Sequence, residues 1–476
     1  MSDIDEEDTD SKSVPGTGIA HEFARRVHAM SAADLTPEVL RWARVGVLDT
    51  IGVTLAGSRE PAVHRAAAAL DLADGPALRL GTRRRIGALD AALLNGTASH
   101  ALDFDDCNNT MGGHPSAPVL SALLPLADQL ASTGEDFLVA YVAGFELECK
   151  LGLAINFHHY TKGWHPTATL GTFGAAAACA RLMTLDAAQT ATALALAASF
   201  ASGIKANFGT MAKPLHVGHA ARNGLLAARL ARAGMTASSE RAFEHEHGFL
   251  DVFNGPGTYD VARALAAWAE PMDIVDPGIA IKQYPCCGST HPAIDAMLGL
   301  VREHGLRADE VATVEAWVHR RRLQHTDRPS PRSALDAKFS LQYVLARALA
   351  DGCVALHHFE NEAHADARVH ALLPRIRVTP YDETRFAPAN HFGGAVRLTL
   401  VDGRVLEASV EQALGRTSAN PLPVKQLRDK FRLCAATVLQ ADAIASLTAQ
   451  IESIIELPDL RELTGALARA TTEPAA

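Results

Sequence analysis

The chain has 476 residues, 48% of them hydrophobic and 5% aromatic, with a formal net charge of −10. That length allows two or three domains and a core large enough to fold without metal or disulfide staples. The acidic balance argues against a nucleic-acid partner, and seven scattered cysteines without a CxxC pair argue against a disulfide framework and fit a reducing cytoplasm.

In chain order, residues 1–14 are acidic and polar, lack the apolar core of a signal peptide, and are expected to be a disordered tail. From residue 18 to 268 the pattern is helical and Ala-rich. Pro37 behind Thr36 opens a helix with apolar residues at Val39, Leu40, Ala43, Val47 and Leu48. Further helices are expected over 88–101, 117–130, 136–155, 171–182, 187–201 and 222–233. None of these runs is apolar enough for a membrane span. The texture changes near Pro277. A helix over 290–304 precedes a strand over 311–318, and a helix over 339–349 precedes a strand over 376–379. Asp402-Gly403 then joins two alternating runs, a hairpin signal. Helix returns from 424 to 445 and on to about 468. The expected fold is therefore mainly α: a large all-α helical domain (15–274 and 416–470) and a smaller α+β domain (275–415). The basic runs Arg83–Arg85 and Arg320–Arg322 are read as solvated loop or strand ends.

Four segments gather polar groups among small residues. The first holds Asp103, Asp105 and Asp106, followed by His114-Pro115. The second is Gly163-Trp164-His165-Pro166-Thr167. The third runs from Asn207 through Lys213-Pro214 to His216 and His219, and the fourth from Lys282 through Cys286-Cys287 to His291. Alternation across Phe104 puts Asp103 and Asp105 on one side and Asp106 on the other. A carboxylate there can orient a His or Lys, or solvate a helix end. Each His-Pro places its imidazole in an extended or turn conformation at an element boundary. The helix expected after His165 presents free N–H groups to an anion. Lys213, read as a loop lysine near imidazoles, can bind a carboxylate or carry a proton, and His216, His219 and Arg222 share a helix face that is either catalytic or merely basic and exposed. The adjacent Cys286 and Cys287 read as small residues lining a turn. His245-Glu246-His247 has the wrong spacing for a zincin, and no phosphate loop or dinucleotide fingerprint is present. No metal and no other cofactor is expected.

Together these segments resemble the MmgE/PrpD family. The resemblance rests on Leu-Asp-Phe-Asp-Asp with Gly-His-Pro-Ser, Gly-Trp-His-Pro-Thr, Gly-Thr-Met-Ala-Lys-Pro-Leu-His, Tyr-Pro-Cys-Cys-Gly-Ser-Thr-His and Ala-Lys-Phe-Ser-Leu-Gln-Tyr-Val, and it covers residues 17–465. It implies a helical domain with an α+β lid, a homodimer, a site between the domains, and a small polycarboxylate as substrate. It also implies catalytic roles for Asp103, His114, His165 and Lys213, and substrate contacts for Lys282, Thr167, Cys107, Cys287 and His325. The family's activities are 2-methylcitrate dehydration, cis-aconitate decarboxylation and iminodisuccinate epimerisation, all of which move a proton beside a carboxylate. Cys107, Cys287 and His325 stand where the decarboxylases carry Thr, His and Tyr. The loop from Cys107 to His114 is one residue longer than theirs, as in the epimerases. The first expectation is accordingly a 2-methylcitrate dehydratase-like lyase. An epimerase, a cis-aconitate decarboxylase and a non-catalytic binding protein on the same fold stand behind it.

Overall fold

A computed structural model describes residues 18–472. The acidic stretch expected to be disordered, residues 1–14, lies outside these residues.

The helices begin where the caps predict. Thr36 Oγ1 accepts from the Val39 N–H at 3.3 Å ahead of Pro37–Gly57, and Asp186 forms a capping box with Gln189 ahead of Ala187–Phe200. Ala88–Ala101, Ser116–Leu130, Gly134–Ile155, Pro166–Leu182 and Ala212–Arg232 complete the helical body. Small residues let these helices approach closely. A Cβ on Gly218 would sit 2.3 Å from the Leu93 carbonyl oxygen, and one on Gly224 would sit 2.4 Å from the Ala175 Cβ. That contact fixes Ala212–Arg232 against Ala88–Ala101 and Pro166–Leu182, the elements that carry Lys213, His100 and His165.

Three expectations need correction. A short antiparallel pair, β1 (Asp74–Leu78) and β2 (Arg85–Ile86), interrupts the expected all-α region. Here Gly75-Pro76 breaks the helical pattern. The helix expected from residue 222 starts ten residues earlier, at Ala212, because Pro214 falls in its first turn, where no intrahelical N–H is needed. Lys213 is therefore a helical residue. The C-terminal run divides into Val424–Ala435, Ala441–Glu452 and Arg461–Ala470.

The second region holds a four-stranded sheet of order β4-β3-β5-β6, built from β3 (Val311–Val318), β4 (Ile376–Pro380), β5 (Gly394–Leu400) and β6 (Val405–Val410). β3 pairs parallel with β4 (Val314 opposite Ile376) and antiparallel with β5 (Glu315 opposite Arg397). Asp402-Gly403 turns β5 into β6, with Gly403 at φ +87°. Val314, Ala316, Val396 and Leu398 bury one face of the sheet with the helices His291–His304 and Leu341–Asp351.

The buried apolar side chains fall into two main clusters. One runs from Ile19 to Ile281 and resumes from Leu427 to Ala470; the other runs from Tyr284 to Leu400. The chain crosses between them at 280–284. There Cys107 and Ala280 exchange backbone hydrogen bonds of 2.9 and 2.7 Å, and the Ile281 N–H donates to the Gly415 carbonyl at 2.8 Å. This short stitch sets Lys282 beside the loop that carries the aspartates.

Candidate active site

A cavity of about 1240 Å³, counting its open mouth, lies between the two regions. Asp103, Cys107, His114, His165, Thr167, Lys213, Lys282, Cys287 and His325 all line it.

The loop after Ala88–Ala101 is the hub. Asp103 has φ +53°, a left-handed conformation that an aspartate tolerates better than most residues. Its carboxylate receives Lys213 Nζ at 2.6 Å and Lys282 Nζ at 3.2 Å, with His114 Nε2 at 4.0 Å. Three lysines from separate elements donate to three consecutive carbonyls: Lys338 to Leu102 at 2.6 Å, Lys282 to Asp103 at 2.6 Å and Lys430 to Phe104 at 2.8 Å. The hub is thereby tied to the α+β region, the crossing segment and the C-terminal helices.

The three aspartates differ in their main partners, with His114 near both Asp103 and Asp105. Burial pushes the Asp103 carboxyl up, but Lys213 and Lys282 outweigh it and hold it well below the usual carboxylate range. Asp105 Oδ2 sits 2.7 Å from His100 Nδ1 and 3.2 Å from His114 Nδ1. Burial opposes its ionisation too, and the two imidazoles reverse that. Asp106 points away, pairing with the Ser116 hydroxyl, which lies 2.5 Å from the Tyr141 hydroxyl. Burial, aided by Asp49 and Asp105, lifts the Asp106 carboxyl to about 8.

His114 is returned to this hub by a tight turn. The Asn108 N–H donates to the Gly113 carbonyl at 3.0 Å, and Gly112 takes φ +68°. A Cβ on Gly113 would stand 2.9 Å from the Thr167 nitrogen, so glycine permits the approach to the start of Pro166–Leu182. There the His114 N–H donates to Thr167 Oγ1 at 3.2 Å. Burial disfavours a charged imidazole, but Asp105 and the Cys107 sulfur, 3.8 Å from Nδ1, raise His114 to about 10. Burial lowers His100, on the other side of Asp105, to about 3. The proton shared around Asp105 thus resides on His114.

His165 caps its helix in an extended conformation (φ −96°, ψ 96°). Its Nδ1 lies 3.3 Å from His216 Nδ1, and burial together with the charges of His100 and Lys213 keeps it well below the usual imidazole range. Of the two pre-proline imidazoles in the cavity, His114 is therefore held protonated and His165 neutral. His100, Asp105 and His114 bring ligand atoms within 4.8 Å of one another, a donor set that would suit a divalent ion. Both Nδ1 atoms face the same Asp105 oxygen, while Asp105 Oδ1 and His100 Nε2 are buried without a hydrogen-bond partner.

The opposite wall comes from the α+β region. Cys286 is turned inward, 3.4 Å from the Thr290 hydroxyl, while Cys287 faces the cavity. Burial pushes the Cys287 thiol up, but His325 outweighs it and brings it down to about 6. His325 Nε2 is held 3.1 Å from Ser289 Oγ. The run at 320–322 is not wholly solvated: Arg320 and Arg321 are exposed, but Arg322 is half-buried, and both Arg321 and Arg322 line the cavity. Arg416, which no sequence pattern singled out, joins Arg322 there with Tyr160 and His391.

Residues 21–262 match the MmgE/PrpD N-terminal domain, and residues 284–453 match the MmgE/PrpD C-terminal domain. The chain belongs to the MmgE/PrpD family. It is 30% identical over 465 residues to cis-aconitate decarboxylase of Homo sapiens, with 94% of each chain covered. It is 28% identical to the Mus musculus cis-aconitate decarboxylase, covering 94% of this chain and 92% of the relative. To 2-methylcitrate dehydratase of Cupriavidus necator it is 24% identical over 380 residues, covering 74% and 76%. These MmgE/PrpD relatives are lyases, and the residue change between the two matched domains falls where the chain crosses between its two cores.

Proposed function

We propose that this MmgE/PrpD protein is a lyase that decarboxylates a cis-aconitate-like tricarboxylate, with His114 as the proton donor. The observation that carries the reading is the protonated His114, held between Asp103 and Asp105 and facing a cavity with more cations than anions. In decarboxylation a C–C bond breaks, carbon dioxide leaves, and the electron pair stays on the carbon framework until a proton arrives. An imidazolium kept charged by a buried carboxylate can deliver that proton and recover it from solvent. Lys213 and Lys282, anchored on Asp103, are positioned to hold substrate carboxylates and to stabilise the developing enolate-like charge.

The named relatives favour decarboxylation over the dehydration first expected from Cys107, Cys287 and His325. Dehydration remains the second reading, supported by neutral His165, which would serve as a base opposite the His114 acid. Incubation with cis-aconitate and with 2-methylcitrate in deuterated water, followed by NMR, tests both. The expected result is carbon dioxide release with one deuterium carried into the product from cis-aconitate. Loss of water from 2-methylcitrate without carbon dioxide from cis-aconitate would select the dehydratase. Deuterium exchange of an imino-diacid without loss of either would select an epimerase. Assembly as a homodimer with a closing α+β lid belongs to the same proposal, and light scattering of the purified chain reads its mass.

A further inference from the structure

The α+β wall holds two cations that no carboxylate answers; the acidic groups that bear on both are the Cys107 and Cys287 sulfurs. Arg322 sits in the helix Arg320–Thr326, and Arg416 in the turn beyond β6. Their guanidinium carbons lie 4.9 and 4.7 Å from the centre of the same ring, Phe392. Arg322 Nε donates to the His391 carbonyl at 3.3 Å, while Arg416 Nε is buried without a hydrogen-bond partner. Among the described residues neither forms an ion pair. Other arginines of this region do: Arg328 with Asp336, Arg347 with Asp351 and Asp366, and Arg385 with Glu407.

Two like charges beside one ring are unfavourable when water is scarce, unless an anion joins them. Burial lowers the Arg416 guanidinium to about 10, which leaves it charged near neutrality. Asp103 does not answer the pair, being engaged with Lys213 and Lys282.

The backbone keeps this place open. Gly415, at φ +81°, lets its turn approach the crossing segment; a Cβ there would fall 2.4 Å from the Ile281 carbonyl oxygen. That sets Arg416 next to Lys282. Gly288 lies between them, and even its Cβ would stand 3.5 Å from Arg416 Nη1 and 3.8 Å from Lys282 Cε. The cavity thus has two cationic groups, Lys213 with Lys282 at the aspartate hub and Arg322 with Arg416 on the α+β wall, which adjoin across Gly288.

We propose that Arg322 and Arg416 form a second carboxylate subsite, which takes the substrate carboxylate furthest from the carbon that His114 protonates. The planar guanidinium fork suits a carboxylate in two-point contact. The inference rests on the active-site reading above and deepens it: the pair selects a tricarboxylate over a dicarboxylate of the same skeleton.

The test is calorimetric titration of the full chain with cis-aconitate and with its analogue in which that remote carboxylate is an amide. Wild type should bind the amide at least about tenfold more weakly than the acid, the scale of a charge-assisted hydrogen bond. In Arg416→Gln the two ligands should bind within about twofold of each other, because the acid loses affinity and the amide does not. KM for the acid should rise more than kcat falls, and Arg416→Lys should recover part of the loss. Arg322→Gln gives the same comparison should Arg416→Gln fail to fold. Equal weakening of acid and amide in these variants would overturn the subsite. So would inorganic phosphate binding more tightly than the tricarboxylate. A wild type that shows the acid–amide difference but turns nothing over would sink the active-site reading and keep the subsite. A wild type that turns over cis-aconitate with no such difference would do the reverse.

Discussion

On the helical wall of the cavity, Asp103 holds two lysines and Asp105 sits between two imidazoles. On the α+β wall, Arg322 and Arg416 hold no carboxylate. Both walls carry buried charge, but the helical wall has its counter-ions built in. Charge balance inside the protein fixes protonation states in advance, which is what proton delivery requires. Charge left unbalanced stores affinity for an anion that has yet to arrive. Under the proposed function, the helical wall is the chemical side and the α+β wall the recognition side.

The largest break in that contrast would come from His114→Gln. It should lower kcat/KM by about 10²–10⁴, the usual share of a positioned acid or base, with the circular dichroism spectrum unchanged. Turnover within threefold of wild type would remove the helical wall from the chemistry.

Lys338→Met tests whether the two walls are mechanically joined. Lys338 belongs to the α+β region, yet its ammonium, lowered to about 8 by burial, donates to the Leu102 carbonyl beside Asp103. Removing it leaves that carbonyl unpaired, at a cost of about 1–3 kcal/mol in thermal or denaturant unfolding. A small displacement of the hub should lower kcat by up to about 10²-fold with KM little changed. A variant with lowered stability but unaltered kcat would make Lys338 a structural tie and nothing more.

Asp105→Asn sharpens the protonation argument. His114 is raised above its ordinary value, so its donor form is present at low pH and is lost as pH rises through about 10. Without Asp105 the basic limb of kcat/KM should move to lower pH by at least about one unit. A limb that stays in place would assign it to another group.

The smallest effect is expected at Asp106→Asn. The folded protein keeps the Asp106 proton up to about 8, whereas an unfolded carboxyl releases it near 3.8. Unfolding therefore releases a proton between those values, and wild-type stability falls as pH rises across that window. Asparagine mimics the neutral acid, so its melting temperature should fall less between pH 5 and pH 8. Parallel profiles for the two proteins would show that Asp106 is not held neutral.

Much of the helical wall could be read in the chain. His114 and His165 precede prolines at helix starts, and both stand in loop positions as the restriction on pre-proline residues predicts. The Asp103-to-Asp106 alternation pointed Asp106 away from the other two, as observed. Lys213 was expected in a loop and is helical, since Pro214 is compatible with a first turn. Arg322 was hidden inside a basic run whose other two members are exposed, and Arg416 stood alone in a turn. Lys338 lay one residue ahead of the helix expected over 339–349, with nothing to mark the carbonyl it reaches.

The sequence by itself determined the local elements, their caps, the β5–β6 hairpin and the segments where polar groups gather, because periodicity, proline and glycine act over a few residues. Only the tertiary structure decided which charges meet. Lys213 reaches Asp103 across 110 residues, Lys282 across 179 and Lys338 reaches Leu102 across 236. Whether a cation is paired or left free depends on what distant segments bring within a few ångströms of it. Coulomb energy and desolvation are set by that distance and burial, and linear spacing records neither.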